Sequence, residues 1–212
     1  GKTTLLAQLT GDIQPDGGQI LFNGRDITRR PAHARAHLGI ARSYQIARLF
    51  EEIPVVDNVA LAVQACGKWA RCLTKRACSI TELRERSRVL LERVGLSPRE
   101  NALAGILSHG ERRKLELAMA LASRPKLLLL DEPLAGMGTA ESAETVELLR
   151  TLRSEASIIL VEHDISALFR LADKMSVLVN GKMVSTGTPE FVRGDPVVRE
   201  AYFGKATELT AC

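Results

Sequence analysis

The amino-acid sequence predicts an α/β fold built on a mostly parallel β-sheet, with short antiparallel hairpins. Two short apolar runs, at residues 127–130 and 157–161, are typical of buried parallel strands. Helical patterns lie between the predicted strands, and this alternation favours parallel pairing. Asp131 and Glu132 directly follow the first run. Ligands of open α/β sheets bind at the carboxyl ends of the strands, so these acids suit holding Mg²⁺ and preparing a water molecule. A strand that ends in a solvated acidic turn is the alternative, and this stretch alone does not decide between them.

The composition is that of one ordinary globular domain. The chain has 212 residues, of which 45% are apolar and 25% charged, and it contains no run of about 18 apolar residues that would predict a membrane span. Its net charge of +4 permits an acidic partner or a membrane surface without requiring nucleic acid. The four cysteines lack C-x-x-C spacing, and free thiols are expected. Because the first residue is Gly1, we expect an N-terminally incomplete sequence.

The chain opens on half of a phosphate-binding motif. Gly1, Lys2, Thr3 and Thr4 match the second half of G-x-x-x-x-G-K-[ST], and a helical pattern follows as far as Gly11. In such a loop, helix N–H groups bind phosphate, Lys2 reaches the β- and γ-phosphates, and the Thr3 hydroxyl ligates Mg²⁺. A solvated lysine in an ordinary first helical turn is the simpler alternative, and these four residues do not decide between the two.

Two Asn-Gly pairs predict β-hairpins. The first is Asn23 with Gly24, and the second is Asn180 with Gly181. Asn-Gly between strand-like segments is the preferred sequence of a two-residue hairpin turn, because both positions tolerate positive φ.

A polar residue ends the strand predicted before the helical region. A short helix over residues 31–38 is stopped by Gly39, and residues 39–44 form a predicted strand that ends at Gln45. Gln45 there is a candidate polar sensor of Mg²⁺ and water. An ordinary exposed glutamine is the alternative.

Residues 57–94 have helical patterns. Asp57 or Asn58 is expected to cap the first helix, and a second helix runs from about residue 79 to 94 and stops at Gly95. The basic stretch at 68–76 between them is a solvated linker or, alternatively, a docking segment for an anionic partner.

Ser108 and Glu111 have the spacing of a capping box at the start of a helix. The same helix start, with Gly110 in its first turn, leaves N–H groups and a hydroxyl able to bind phosphate. The structural and the functional interpretation are compatible.

The second apolar run also ends in polar residues, Glu162, His163 and Asp164. If the strands are parallel, His163 lies at the same sheet edge as Glu132, although a single histidine at a strand end is more often structural. Asp164 is expected to cap the next helix, and Thr139 and Thr188 to cap two others.

In their order and spacing these pieces resemble the ATP-binding cassette (ABC) ATPases. The matching motifs are the second half of Walker A, the Q-loop, the signature, Walker B and the H-switch, at residues 1–4, Gln45, residues 107–111, 128–133 and 162–164. The resemblance implies a P-loop NTPase (RecA-like) domain over residues 1–204. Its core would comprise 1–45 and 115–204, its helical and signature subdomain 46–114, and residues 205–212 would form a frayed tail.

A narrower resemblance is to the ATP-binding subunits of branched-chain amino acid importers. It rests on residues 22–28, 39–45, 48–50, 134–138 and 198–204. The ATP-binding subunits of urea and short-chain amide importers share much of the sequence of these segments. The lipopolysaccharide-export ATPase shares the helix with the Glu-Arg-Arg sequence and the C-terminal tail. These remain alternatives.

The resemblance implies that the chain binds ATP and Mg²⁺ and hydrolyses ATP. The residues implied in nucleotide binding are Gly1, Lys2, Thr3, Thr4, Ser108, Gly110 and Asp131, and those implied in holding Mg²⁺ are Thr3, Gln45 and Asp131. The residues implied in catalysis are Glu132, which activates water, His163, which contacts the γ-phosphate, and Gln45.

The resemblance also implies partners. Two cassettes pair head to tail, the region around residues 50–57 faces a permease, a solute-binding protein acts indirectly, and the chain works at the cytoplasmic face of a membrane. The sequence departs from the commonest residues of the family motifs at His109, Glu111 and Gly138. Two other classes stay open: a soluble ABC ATPase of DNA repair or translation, and a truncated interaction module. The single cassette and the roughly 60 residues between Gln45 and the signature, too few for a long coiled coil, count against the first.

Overall fold

A computed structural model describes residues 1–43, 49–67 and 80–203, with only the backbone given for 201–203. The Q-loop residue Gln45, the basic stretch at 68–76 and the predicted tail at 205–212 lie outside the described residues.

Helices and strands alternate along the described chain. The helices are α1 (Lys2–Thr10), α2 (Ala32–His37), α3 (Val55–Cys66), α4 (Thr81–Arg93), α5 (His109–Leu121), α6 (Thr139–Leu152), α7 (Ile165–Leu171), α8 (Pro189–Gly194) and α9 (Pro196–Phe203). The strands are β1 (Leu21–Phe22), β2 (Arg25–Asp26), β3 (Ile40–Arg42), β4 (Leu127–Asp131), β5 (Ser157–Val161), β6 (Met175–Val179) and β7 (Lys182–Gly187). Within the described ranges, no helix combines the length and apolarity needed to cross a bilayer.

The predicted parallel sheet is confirmed, with strand order β3-β4-β5. Leu128 of β4 lies opposite Ala41 of β3 and Ile158 of β5 in the two parallel ladders. Because β4 is the central strand, its hydrogen-bonding groups are paired on both sides, and its last residue is delivered to the carboxyl edge of the sheet.

Two apolar clusters cover the two faces of β4. The larger one contains Leu128 and Leu130 together with side chains of α3 to α7. The smaller one contains Leu129, Leu6 of α1 and Ile40 of β3. Leu128, Leu129 and Leu130 of β4 are completely buried. Burial on both faces explains why the strand is a continuous apolar run and does not alternate apolar with polar residues.

Contacts at the C-terminal end of α1 fix the orientation of the helix and hence of its N-terminus. The helix ends at Gly11, whose φ of 85° is the left-handed conformation that glycine adopts most readily. The guanidinium of Arg35, which is completely buried, donates hydrogen bonds to four backbone carbonyls at 2.6–3.0 Å. The acceptors are Gln8, Leu9, Thr28 and Arg30. Two of these carbonyls belong to the last turn of α1, so Arg35 joins the helix to the segment that precedes α2.

The predicted cap of the helix after the Q-loop region is wrong. Pro54 occupies the N-cap position of α3, and Asp57 and Asn58 lie inside the first turn. The buried Asn58 amide instead accepts a hydrogen bond from the Phe50 N–H (2.9 Å) and donates one to the Phe50 carbonyl (3.1 Å). Its polar side chain therefore stabilises the preceding loop and does not cap the helix.

The other caps mostly follow the sequence. Thr188 accepts from the Phe191 N–H, and Asp164 accepts from the Ala167 N–H. The prediction that Thr139 caps α6 is wrong, since Thr139 is the first residue of the helix and Gly138 is the N-cap.

Both Asn-Gly hairpins are present, as predicted. Asn23 (φ 50°) and Gly24 (φ 75°) join β1 to β2, and Asn180 (φ 49°) and Gly181 (φ 79°) join β6 to β7. Positive φ at both central residues is the signature of a type I′ turn.

An open groove separates the parallel sheet from the β6-β7 hairpin. In the described chain β5 and β6 are not hydrogen-bonded to each other, and the space between them measures about 1770 Å³. The groove is lined by side chains of α1, β5, α7 and β6, and Ile159 is exposed on β5. The side of β5 that faces away from β4 is therefore not paired with another described strand.

Replacing Arg35 with methionine is expected to destabilise the protein by about 3 kcal/mol, because four carbonyls lose their donor in a buried site. Urea unfolding followed by circular dichroism measures this difference. The matched control is Arg150→Met, an exposed arginine paired with Glu147, for which a loss under about 1 kcal/mol is expected. Equal losses in the two variants would contradict a structural role for Arg35.

Candidate active site

The two acids that end β4 lie in different environments. The Asp131 side chain is 1% exposed, whereas that of Glu132 is 24% exposed. Glu132 has a φ of 51°, an uncommon value for a residue with a side chain, and its N–H donates to the Val161 carbonyl at 2.8 Å. Consecutive carboxylates with such different exposure are suited to different tasks.

Glu132 and His163 are in contact. His163 Nε2 lies 2.7 Å from Glu132 Oε1, and the imidazole is largely exposed. The contact follows from the sheet, because Asp131 and Val161 are paired in the β4-β5 ladder and their successors leave the same edge. The prediction that the two strands end at the same sheet edge if they are parallel is confirmed, and the contact between Glu132 and His163 is an addition from the structure.

Glu162 positions the loops on either side of this pair, a role that sequence reasoning did not assign. One of its carboxylate oxygens accepts from the Leu134 N–H (2.8 Å), and the other accepts from the His163 N–H (3.1 Å). One side chain therefore holds both the loop after Glu132 and the residue after β5. Its place at a strand end was the only signal in the sequence.

Asp131 is paired with an arginine that the sequence did not single out. Arg42 Nη2 lies 3.3 Å from Asp131 Oδ2, and Arg42 Nη1 lies 3.3 Å from Asp12 Oδ2. Asp131 Oδ1 is buried and has no hydrogen-bond partner in the described part of the chain. A buried carboxylate oxygen with an open acceptor site fits a metal ion or its bound water.

The described residues hold no group of three or more His, Cys, Asp or Glu side chains that would enclose a metal by themselves. Mg²⁺ in phosphoryl-transfer sites is usually bound by one or two protein ligands together with substrate phosphates and water. The residues present therefore fit a magnesium ion that arrives with a nucleotide. Gln45, the third predicted Mg²⁺ contact, is outside the described residues.

The N-terminus of α1 faces the groove beside β5. Gly1 is the N-cap of α1 and packs beside Gly181, Thr3 and Thr4 are exposed, and among the described residues the cap makes no side-chain hydrogen bond. Lys2 lines the groove together with His163 and Glu162. The structure thus brings the predicted phosphate-binding lysine to the same opening as the histidine at the end of β5.

The predicted capping box at α5 is confirmed. Ser108 Oγ accepts from the Glu111 N–H (3.2 Å), and Glu111 Oε2 accepts from the Ser108 N–H (2.9 Å). Burial by itself would raise the pKa of the Glu111 carboxyl. The hydrogen bonds from Ser108 and the ion pair with Arg99 outweigh this effect, so the pKa lies below its ordinary value of 4.5.

The start of α5 packs against the loop that follows β4 in the same chain. A side chain at Gly136, which has a φ of 75°, would come within 2.5 Å of His109 Cδ2. A side chain at Gly110 would come within 2.6 Å of Glu141 Oε2. Gly136 is required by this close approach and by its positive φ, whereas the contact at Gly110 is with the flexible end of the Glu141 side chain, which can move.

The predicted site residues form two groups in one chain. The first is at the carboxyl edge of the sheet, where Lys2 lies on α1, Asp131 and Glu132 lie at and directly after the end of β4, and His163 lies in the turn after β5. The second is the start of α5, with Ser108 and Gly110. Helix α1 packs on α2, β3 and β4, whereas α5 packs on α3, α4 and β3.

This fold and this pair of groups define an ATP-binding cassette. The family profile described as ABC transporter matches residues 1–135, and the profile described as branched-chain amino acid ATP-binding cassette transporter matches residues 182–208. The chain belongs to the ABC transporter ATP-binding family and is an ATPase of that class.

Individual relatives agree with this assignment. The chain is 36% identical to the high-affinity branched-chain amino acid transport ATP-binding proteins BraF of Pseudomonas aeruginosa and LivG of Escherichia coli, over 97% of this chain and 84% of each relative. It is 34% identical to the lipopolysaccharide export system ATP-binding protein LptB of Acidithiobacillus ferridurans, over 99% of this chain and 83% of that protein.

A solved ATP-binding cassette of an ABC transporter, in its ADP conformation, superposes with a TM-score of 0.82 at 26% identity. The comparison covers 97% of this chain and 84% of the solved chain.

Replacing Glu111 with glutamine should change how stability depends on pH. Glutamine preserves the capping box but carries no charge. Because the pKa of Glu111 is lowered on folding, the contribution of its charge is present above pH 4.5 and is lost as the pH falls through the lowered pKa. At pH 7 the wild type should be more stable than the variant by about 0.5 kcal/mol.

Urea unfolding between pH 3 and pH 7 measures the difference. A difference between the two proteins that stays constant over this range would contradict the role given to the charge.

Proposed function

We propose that this chain is the ATP-hydrolysing subunit of an importer for branched-chain or related amino acids. The single observation that carries the catalytic part is the 2.7 Å contact between Glu132 and His163, at the end of the strand that buries Asp131. The match of residues 182–208 to the branched-chain amino acid cassette profile, and the greater identity to BraF and LivG than to LptB, support the solute class over lipopolysaccharide export.

Glu132 acts in the proposal as the group that orients and activates the attacking water. Its carboxylate is partly exposed and has His163 as a hydrogen-bonded neighbour, which holds it in one orientation. Glu162 fixes the backbone on both sides, so the pair is kept in place before substrate binds. His163 is exposed enough to contact the terminal phosphate from this position.

The phosphates of ATP are bound by Gly1, Lys2, Thr3 and Thr4 at the start of α1. The N–H groups of the first helical turn and the Lys2 ammonium provide positive charge for the phosphates. Asp131, with Thr3 and Gln45, holds Mg²⁺. When bound, this ion neutralises charge that develops on the phosphate oxygens.

A second cassette completes the site. Ser108 and Gly110 lie at the start of α5 and not on the elements that carry Lys2 and Glu132. In a head-to-tail pair, the α5 terminus of one subunit would contact the terminal phosphate bound to the other. Ser108 and His109 are exposed at the start of α5, which supports this arrangement, although Gly110 is buried in the single chain.

A permease is proposed to contact the loops before α3 and before α5. These loops are joined by hydrogen bonds, from the Ala104 N–H to the Ile53 carbonyl (3.1 Å) and from the Gly105 N–H to the Glu51 carbonyl (3.0 Å). Exposed apolar side chains project from them: Phe50 (58% exposed), Leu103 (47%) and Ile106 (69%). An exposed cluster of this kind is typical of a protein-binding surface.

Arg112 connects this surface to the start of α5. Its guanidinium pairs with Glu51 at 2.6 Å and donates to the Gly105 carbonyl at 2.7 Å. Arg112 lies one turn after Ser108 on the same helix. Movement of α5 when nucleotide is bound would thereby reach the permease-facing loops, and through them a periplasmic or extracellular solute-binding protein. The subunit would then work at the cytoplasmic face of the membrane, where ATP is supplied.

Replacing Glu132 with glutamine in the full-length protein is expected to reduce ATP turnover at least about 100-fold, because the variant lacks the base that activates water. ADP affinity should change little, since Glu132 is not assigned to binding. Steady-state phosphate release and calorimetric titration with ADP measure the two quantities.

Glu155→Gln is the matched control. Glu155 is an exposed glutamate paired with Arg93, and its replacement should leave turnover near the wild-type rate. Turnover in Glu132→Gln that equals the control would remove Glu132 from the catalytic role.

Replacing Ile106 with aspartate is expected to weaken assembly with the permease at least about tenfold, because a charge would lie in an apolar contact. The fold should tolerate the change, since Ile106 is 69% exposed. Pull-down of the full-length subunit by its detergent-solubilised permease, at graded protein concentration, measures the effect.

Leu21→Asp provides the comparison, since Leu21 is 61% exposed on the β1-β2 hairpin, away from the proposed surface. Equal retention of the two variants by the permease would place the docking surface elsewhere.

A further inference from the structure

A line of polar contacts runs from the end of α1 to the end of β4. Thr10 Oγ1 donates to Asp12 Oδ2 at 2.7 Å. Arg42 Nη1 lies 3.3 Å from the same oxygen, and Arg42 Nη2 lies 3.3 Å from Asp131 Oδ2. The guanidinium of Arg42 is thus placed between two carboxylates that come from different parts of the fold.

The geometry is that of a shared cation. In a bidentate arginine–carboxylate pair, two N–H groups of the guanidinium donate to one carboxylate, with N–O distances of about 2.7–2.9 Å. Here the two terminal nitrogens of Arg42 are divided between Asp12 and Asp131, and both distances are 3.3 Å. A small movement of the guanidinium would strengthen either contact at the expense of the other.

The two carboxylates differ in their need for a cation. The Asp131 side chain is 1% exposed and that of Arg42 is 8% exposed, whereas the Asp12 side chain is 32% exposed. A buried carboxylate without a counterion carries a large desolvation cost, but a partly exposed one is stabilised by water. Arg42 is therefore required by Asp131 more than by Asp12 when no metal is present.

We propose that Arg42 is the counterion that Asp131 exchanges for Mg²⁺, and that Asp12 holds the guanidinium after the exchange. The inference rests on the proposed role of Asp131 in holding Mg²⁺. When Asp131 takes the metal, two further positive charges lie near Arg42, and like charges repel strongly in a poorly solvated site. Asp12, already oriented by Thr10, is the nearby carboxylate that can retain the guanidinium.

Arg42 is then a positioning residue that competes with the metal. This assignment predicts opposite effects for its two neighbours in the line. Removing the charge of Arg42 makes Asp131 a better ligand, so Mg²⁺ should bind more tightly. Removing the charge of Asp12 weakens the contact that competes with Asp131 for the guanidinium, so Mg²⁺ should bind more weakly. A residue that served only to fold the protein would not produce changes of opposite sign.

The test is a titration of Mg²⁺ into the full-length protein saturated with ADP, followed by the shift in thermal unfolding temperature. Relative to wild type, the half-saturating Mg²⁺ concentration should fall about tenfold in Arg42→Met and rise about tenfold in Asp12→Asn, the scale on which neighbours of metal ligands act. Arg42→Lys keeps the charge and should remain near wild type. The Mg²⁺ dependence of ATP turnover should shift in the same directions.

Two further variants separate the possible failures. Asp131→Asn should remove most of the Mg²⁺-dependent stabilisation, and if it does not, the metal assignment in the proposed function fails and the exchange fails with it. If Asp131→Asn behaves as expected but Asp12→Asn leaves the half-saturating concentration unchanged, only the exchange is overturned. A weaker Mg²⁺ affinity in Arg42→Met would also overturn it. Should Arg42→Met not fold, Asp12→Asn and Arg42→Lys still decide, because Asp12 is partly exposed and lysine preserves the charge.

Discussion

The active edge of this cassette depends on the hydrogen bonding of β4 between β3 and β5. Both ladders are parallel, and the three central leucines of β4 are completely buried, each worth about 1.5–3 kcal/mol in apolar burial. A strand held on both sides and covered on both faces cannot shift its register cheaply. Asp131 and Glu132 therefore have a fixed position along the sheet, beside the end of β5, which Glu162 and His163 follow.

The backbone at Glu132 then separates two neighbouring carboxylates. A left-handed φ at a residue with a side chain is uncommon, and here it follows a buried aspartate directly. Asp131 stays in the interior with Arg42, while Glu132 is partly exposed and contacts His163. Strained conformations of this type are concentrated at functional sites, where the surrounding structure maintains them.

Polar side chains also connect loops to helices. Asn58 holds the loop at Phe50, Arg112 holds Glu51 and Gly105, and Arg35 holds the end of α1. Asn58 and Arg35 are buried and pair with backbone groups, whereas Arg112 and Glu51 are 28% and 60% exposed. Together they make the orientation of α1, α3 and α5 depend on specific contacts and not on apolar packing alone, which suits helices whose ends bind phosphate or face a partner.

The features that the sequence determined by itself are local in the chain. The apolar run of β4, the Asn-Gly turns, the Ser108 capping box and the Asp164 cap are set by residues within a few positions of one another. The resemblance to ABC cassettes came from the order of five short motifs, which are equally local. The contacts that only the tertiary structure decided join distant residues. Arg42 and Asp131 are 89 positions apart, and Glu162 reaches Leu134 over 28. Asn58 shows the same limit at short range: its side chain is suited to cap a helix, but burial against the Phe50 loop directs its amide to that backbone instead, and burial is a property of the packed chain.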